Sequence, residues 1–322
     1  MRARPTKLVA KLYALARHPF SPELRKAYRE RLRTLPLPGV ASQGLVLFDA
    51  AAAEVPRQLR LVPGSSVPPT VSIIIPAHNQ LDFTLRCLMS IAAHPGQAPV
   101  EIIICDDGSQ DDTPRVLGDV PGLRYLRNEA NLGFLHSCNR AAEEARGEYL
   151  LFLNNDTQVQ EAWLDHMLAL YERDEHSGLV GAKLVFPDGR LQEAGGLIWR
   201  DGSGHHIGRY DDPGKPEYNT VREVDYCSGA CLLIESAFFR QLGGFDDRYA
   251  PAYYEDTDLA FRVRQAGRKV LYQPQAVVVH HESASHGIDT RRGIKSYQVA
   301  NRAKFVERWR RELEEFHFPK PD

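Results

Sequence analysis

Between residues 71 and 186 the chain alternates short apolar runs with stretches that are apolar at every third or fourth position. Val71-Ser72-Ile73-Ile74-Ile75 is β-branched and closed by Pro76, so it reads as a strand running into a loop. Leu81, Leu85, Leu88 and Ile91 then recur at helical spacing and predict a helix over 81–93. The same alternation predicts strands over 100–105, 123–126 and 148–153, with helices over 111–118 and 134–144 between them. Such a βαβαβαβ succession implies an α/β fold with a single, mostly parallel sheet flanked by helices.

Farther along, 163–173 suits a helix and 179–186 a strand, while 187–224 is rich in Gly, Asp and Pro and reads as loops and hairpins. Helical stretches near 235–242 and 256–266 precede the strand Val277-Val278-Val279, which ends in His280-His281. In the tail, Phe305, Trp309 and Leu313 stand at i, i+4 and i+8, the mark of an amphipathic helix that packs back on the body. Upstream of residue 70 the pattern differs. A basic, helix-like stretch runs to Arg33, and breakers follow at Leu35-Pro36-Leu37-Pro38-Gly39 and Pro63-Gly64-Ser65-Ser66. The expected organisation is an appendage and linker over 1–69, an α/β domain over 70–285, and a lid loop with a C-terminal helix over 286–322.

Composition narrows the function classes. With 322 residues, 43% of them hydrophobic, the chain can bury a large core. A formal net charge of -2 gives no global electrostatic case for nucleic-acid binding. No apolar stretch reaches the roughly 18 residues of a membrane-spanning helix. The first thirty residues also lack the apolar core of a signal peptide. A cytoplasmic protein is expected, with Arg25, Lys26, Arg29, Arg31 and Arg33 available to touch the inner face of an anionic membrane. Five cysteines in apolar segments read as reduced core residues, and Cys227 and Cys231 lack the neighbours of a zinc site.

Polar groups collect where strands end: Asp106-Asp107, Asn154 to Asp156, Glu255-Asp256 beside Asp258, and His280-His281. In open parallel sheets ligands bind outside the carboxyl ends of the strands. Taken singly these groups read as turns and caps; Asp-Gly-Ser is a turn signature and Asn-Asp-Thr a cap for the helix starting near Glu161. Together they suit a hard cation carried by a diphosphate, which needs only one or two protein ligands.

The ordered succession SIIIPAHNQ, CDDGSQD, NEANLGF, LFLNNDT, SGACLLI, GGFDDRY, YYEDTDLAFRVRQAG and VVVHH resembles the family 2 glycosyltransferases, inverting enzymes of the GT-A fold that use nucleotide-sugar donors. The likeness covers roughly 70–285, and the tail SYQVANRAKFVERW is similar to the C-terminal helix of many bacterial members. It implies a nucleotide site at Pro76, His78, Asn79, Asp106, Asp107, Gly108, Asn131 and Asn155. There Asp106 would accept the imide N–H of a uracil or thymine, and Asn155 would meet the ribose. It implies a Mg2+ or Mn2+ ion on Asp156 and His280, with His281 as the alternative ligand. Asp256 would be the catalytic base and Glu255 its orienting neighbour, so that one carboxylate deprotonates the acceptor while the cation stabilises the leaving group. SGACLLI would floor the donor sugar. Further contacts to diphosphate or acceptor are expected from Arg291, Arg292, Lys295, Tyr253 and Trp199.

The implied donor is a UDP- or dTDP-linked sugar and the acceptor a glycan or lipid-linked hydroxyl in bacterial polysaccharide assembly, with partner glycosyltransferases and peripheral membrane contact. Two other readings stand beside it. A sugar-1-phosphate nucleotidyltransferase would want a Gly-rich, basic loop after the first strand, where this chain has PAHNQ. A silent nucleotide-sugar-binding or scaffold domain would have no use for Asp156, Asp256 and His280 together.

Overall fold

A computed structural model describes residues 44–49, 67–282 and 297–320. Strands β1 (Val71–Ala77), β2 (Val100–Asp106), β3 (Leu123–Arg127) and β4 (Tyr149–Leu153) run parallel in the order β4-β1-β2-β3. Helices α1 (Leu81–Ala93), α2 (Thr113–Leu117) and α3 (Phe134–Glu144) make the crossovers. Along β1, Ile73 and Ile75 enter one core cluster and Ile74 the other. Both faces of the sheet are covered, which is why these strands are continuously apolar rather than alternating. One core contains α1 and the later helix α4 (Trp163–Arg173); the other contains α3 and three elements from the second half of the chain.

Those elements are α5 (Ser236–Gln241), α6 (Glu255–Gln265) and α7 (Tyr297–Phe316), and with them the sheet extends to 10 strands. Beyond β4 lie β11 (Cys231–Glu235), β6 (Ser177–Val185), β12 (Lys269–His280) and the two-residue edge strand β10 (Arg222–Glu223). The SGACLLI segment is therefore a loop running into a strand, inserted antiparallel between β4 and β6. Four short strands complete the site side: β5 (Thr157–Val159) against β12, β7 (Leu191–Glu193) against β6, and the β8 (Gly196–Ile198)–β9 (Gly204–His206) hairpin.

Two local expectations change. Asn-Asp-Thr caps no helix, because Thr157 opens β5 and α4 begins at Trp163 after a left-handed Ala162. The strand expected at 277–279 is the end of β12, which starts at Lys269. Pro274 hides this continuity: it cannot donate to a ladder, and it sits where the pairing with β6 skips from Gln273 to Val277.

The C-terminal helix α7 buries Phe305, Trp309 and Leu313 as its spacing predicts. Its main attachment is polar. Asp258 of α6, fully buried, accepts from Trp309 Nε1 at 2.8 Å, Arg262 Nε at 2.7 Å and Tyr249 OH at 3.1 Å. The Asn301 amide nitrogen donates to the carbonyls of Tyr249, Ala252 and Tyr253 at 2.7, 2.9 and 3.1 Å. At the opposite end of the sheet, edge strand β3 carries Arg124, paired with Glu101, and Arg127, paired with Asp106.

Of the expected appendage, 44–49 and 67–69 are described; its basic stretch lies outside the described residues. The backbone of 44–49 meets side chains of β5 and its flank: Val46 N and Phe48 N donate to the amide oxygens of Gln160 and Gln158 at 2.8 and 2.6 Å. All five cysteines are buried and free. No helix among the described residues is long and apolar enough to cross a membrane.

Asn301→Ala is expected to cost about 1–3 kcal/mol, because three buried carbonyls lose their donor. Urea unfolding of the variant against the parent protein measures the difference.

Candidate active site

The carboxyl ends of β1, β2, β4 and β12 open into one cavity of about 480 Å³. Its first corner is set by strand register. Antiparallel pairing of β5 with β12 matches Thr157 to His280, and His281 N donates to Asp156 O at 2.9 Å. The side chains follow: His280 Nε2 lies 3.2 Å from Asp156 Oδ1. Two adjacent ligands on an octahedral cation, each about 2.1 Å from it, stand about 3 Å apart, so the spacing fits a shared divalent ion. Burial disfavours the imidazolium, yet the Asp156, Glu282 and Glu193 carboxylates lift the His280 pKa above its ordinary value. His281 faces elsewhere. Gln158, whose amide oxygen takes Phe48 N–H, turns its NH2 to His281 Nε2 at 3.0 Å. Among the described residues no cluster of three or more His, Cys, Asp or Glu side chains suits a metal.

The second corner is the N-terminus of α6. Tyr253 and Tyr254 both hold positive φ, 74° and 72°, a costly conformation for aromatic residues, and it delivers Glu255 and Asp256 at the first helical positions. Asp256, half-buried, lines the cavity. Its Oδ2 accepts Gly229 N–H at 2.9 Å, and its Oδ1 accepts Thr257 N–H at 2.6 Å. Burial raises its pKa above the ordinary aspartate value, and the nearby Glu193 charge adds to this against those N–H groups. Glu255 is buried with Oε2 unpartnered, and burial together with Asp256 pushes its pKa well up.

The third wall comes from β1, β2 and the loop ahead of α3: Pro76, His78, Asp107, Asn131 and Gly133 line it. Asp107 accepts Leu132 N–H and Asn128 Nδ2 on Oδ1, and Gly133 N–H at 2.8 Å on Oδ2. Position 133 has no room for a side chain: φ is 90° and a Cβ would lie 2.6 Å from Pro251. Asp106, expected at the base, does not line the cavity. It is fully buried, held by Ser109 N–H at 2.8 Å, Arg127 at 2.7 Å and the Tyr125 hydroxyl. Asn79 and Gly108 also lie off the lining. Asn79 Oδ1 accepts Gln110 N–H, and Gly108 turns with φ 71° against the Ala130 backbone. Asn155 does line the cavity, but its amide is committed to Thr84 Oγ1 at 3.0 Å. The neighbouring Asn154, not expected as a contact, also lines it with a buried, unpartnered Oδ1.

The fourth wall was not foreseen. Gln192, His206, Arg209, Tyr226 and Glu282 line it. Glu193, 1% exposed, binds His206 Nδ1 and accepts Ser228 N–H at 2.9 Å. Arg209 pairs with Glu282 at 2.7 Å. The QEAGG stretch offered a weak signal, a Gln-Glu pair running into two glycines, inside a region that otherwise reads as loop. Tyr253 lines the cavity, whereas Trp199 sits off it against His205, ring centroids 6.1 Å apart. Arg291, Arg292 and Lys295 lie outside the described residues.

Residues 72–238 match the sequence profile described as glycosyl transferase family 2. The chain belongs to that family. It is 34% identical over 230 residues to an uncharacterized protein, y4gI, of Sinorhizobium fredii, a match covering 68% of this chain and 25% of that protein. It is 32% identical over 217 residues to N-acetylglucosaminyl-diphospho-decaprenol L-rhamnosyltransferase of Mycobacterium tuberculosis, covering 60% of this chain and 70% of the relative. The chain thus spans about a quarter of y4gI's length. The crystal structure of GalNAc-T7 with UDP, GalNAc and Mn2+ superposes with a TM-score of 0.62 at 18% identity, over 92% of this chain and 59% of that one. That likeness establishes the fold, the GT-A arrangement of this family 2 glycosyltransferase domain.

Glu255 generates a prediction about stability. A carboxyl whose pKa is raised in the fold contributes most below its unfolded value of about 4.3 and loses that contribution as pH rises through the folded value. Glu255→Gln keeps the neutral form at every pH, so its thermal stability relative to the parent should rise from acid to neutral pH. Melting curves across that range test it, and a pH-independent difference would contradict it.

Proposed function

We propose that the chain transfers a sugar from a nucleoside-diphosphate donor to a hydroxyl of a glycan or lipid-linked acceptor, with inversion and with Asp256 as general base. The observation that carries this reading is the placement of the Asp156–His280 corner and Asp256 as separate parts of the lining of one cavity. A displacement needs its leaving group and its base apart, and a single in-line attack inverts the sugar carbon. Asp256 takes the proton from the attacking hydroxyl; its raised pKa makes it a better acceptor at neutral pH than an ordinary aspartate. Asp156 and His280 would hold a divalent cation, which supplies Lewis-acid charge to the departing diphosphate.

The nucleoside would lie against Pro76, His78, Asp107 and Asn131. Asp107 replaces Asp106 as the partner for a uracil or thymine imide, because Asp107 lines the cavity and its Oδ2, which accepts Gly133 N–H, keeps a second lone pair available. Asn154 takes the ribose or diphosphate contact through its unpartnered oxygen. The catalytic unit would be 70–285, with α7 bracing it. The name of the mycobacterial relative supports a deoxyhexosyl donor and a lipid-diphosphate acceptor, which would place the work at the inner membrane face.

Asp256→Asn should lower transfer by about 10²–10⁴-fold while leaving donor affinity near that of the parent. Donor binding and turnover measured separately decide this: near-normal transfer would remove Asp256 as the base, and a matching loss of affinity would make it a binding residue. For the parent enzyme, turnover should fall as pH drops through the Asp256 pKa, with a midpoint above the ordinary aspartate value of about 3.9. A screen of nucleoside diphosphates with and without Mn2+ should raise the melting temperature of the protein, and no shift with any of them would count against the whole reading.

A further inference from the structure

We infer that Gln192 is a positioning residue for the cation corner: it holds His280 in the one tautomer and orientation that leaves Nε2 open toward Asp156. This rests on the metal reading proposed above and names a residue that reading does not use. Gln192 is 2% exposed and sits at a bulge, because β7 pairs Leu191 with Val185 and Glu193 with Leu184 and leaves Gln192 unmatched. A bulge re-aims a side chain, and here the consecutive residues Gln192 and Glu193 both serve the same cavity wall.

The hydrogen-bond directions follow by elimination. Glu282 is paired with Arg209 at 2.7 Å, so its carboxylate only accepts, and the group facing it from Gln192 at 3.0 Å must be the NH2. The amide oxygen of Gln192 is then the atom 2.9 Å from His280 Nδ1, and His280 must donate from Nδ1. Nε2, 3.2 Å from Asp156 Oδ1, is left as the nitrogen that can bind an ion. Histidines that ligate metals regularly donate their other ring N–H to such a partner, and loss of that partner lowers metal affinity by about 10- to 100-fold. The relay His280–Gln192–Glu282–Arg209 also anchors the cation corner to the wall formed by Arg209.

The test is Mn2+ affinity, read from the free-ion electron paramagnetic resonance signal with Mn2+ alone and with Mn2+ plus UDP. Gln192→Met, similar in length but without an acceptor, should bind Mn2+ about 10- to 100-fold more weakly. Gln192→Glu keeps an oxygen for His280 Nδ1–H but loses the donor to Glu282, so it should retain more Mn2+ affinity than Gln192→Met, which guards against a loss that reflects misfolding. Asp156→Ala and His280→Ala serve as references. If neither reference weakens Mn2+ binding, the metal reading itself fails. If both weaken it while Gln192→Met binds like the parent, the inference about Gln192 is overturned. Equal loss in Gln192→Met and Gln192→Glu would also overturn it, by making the contact to Glu282 the important one.

Discussion

The site depends on a three-residue strand. β5 turns the chain back from Asp156 and pairs antiparallel with the end of β12, and this register alone brings an aspartate after β4 beside a histidine far along the sequence. Because side chains alternate along a strand, a slip of one residue would send His280 to the other face of the sheet. The long pairing of β12 with β6, the bulge around Pro274 and the bond from His281 N to Asp156 O all act to prevent that slip. The remaining walls are built on this axis. β7 hangs from β6, the β8–β9 hairpin follows it, and α6 meets the loop before β11 through Asp256 and Gly229.

Carboxylates dominate the electrostatics of the cavity. Asp107, Asp156, Glu255, Asp256 and Glu282 line it, with Glu193 directly behind, against Arg209 and the imidazoles of His78, His206 and His280. A diphosphate would be repelled by such an excess of carboxylates unless a divalent ion intervened. Burial first, and the neighbouring carboxylates after it, raise the proton affinity of Asp256 and Glu255. Asp258, two residues on, belongs to another system. It faces Arg262 and Trp309 and ties α6 to α7, so the helix presents Asp256 to the cavity and Asp258 to α7.

Elements with a clean period were legible in the sequence. The β-branched run at 71–75, the helical spacing of Leu81 to Ile91 and the spacing of Phe305, Trp309 and Leu313 all describe what the chain forms. Asp156, His280 and Asp256 could be proposed because motif order carries information that single residues do not. What escaped was non-local. β11 looks like any apolar run, and only its partners make it antiparallel. Asp106 and Asp107 are adjacent carboxylates, and which one reaches the cavity depends on Arg127 and Tyr125 of β3 claiming the first. Gln192, Glu193 and His206 lie on strands of three residues, too short to show a period, in a segment dominated by turn residues.

The two ends of the sheet bear on how copies of this chain meet one another. An open strand edge is a template on which another molecule can add a strand, and long, flat, apolar edges invite aggregation. Here one end is β10, two residues long, and the other is β3, which carries Arg124 and Arg127 already engaged with carboxylates. Neither offers a run of apolar backbone on which a second sheet could grow. Among the described residues, strand addition from a second copy is therefore disfavoured at these two edges.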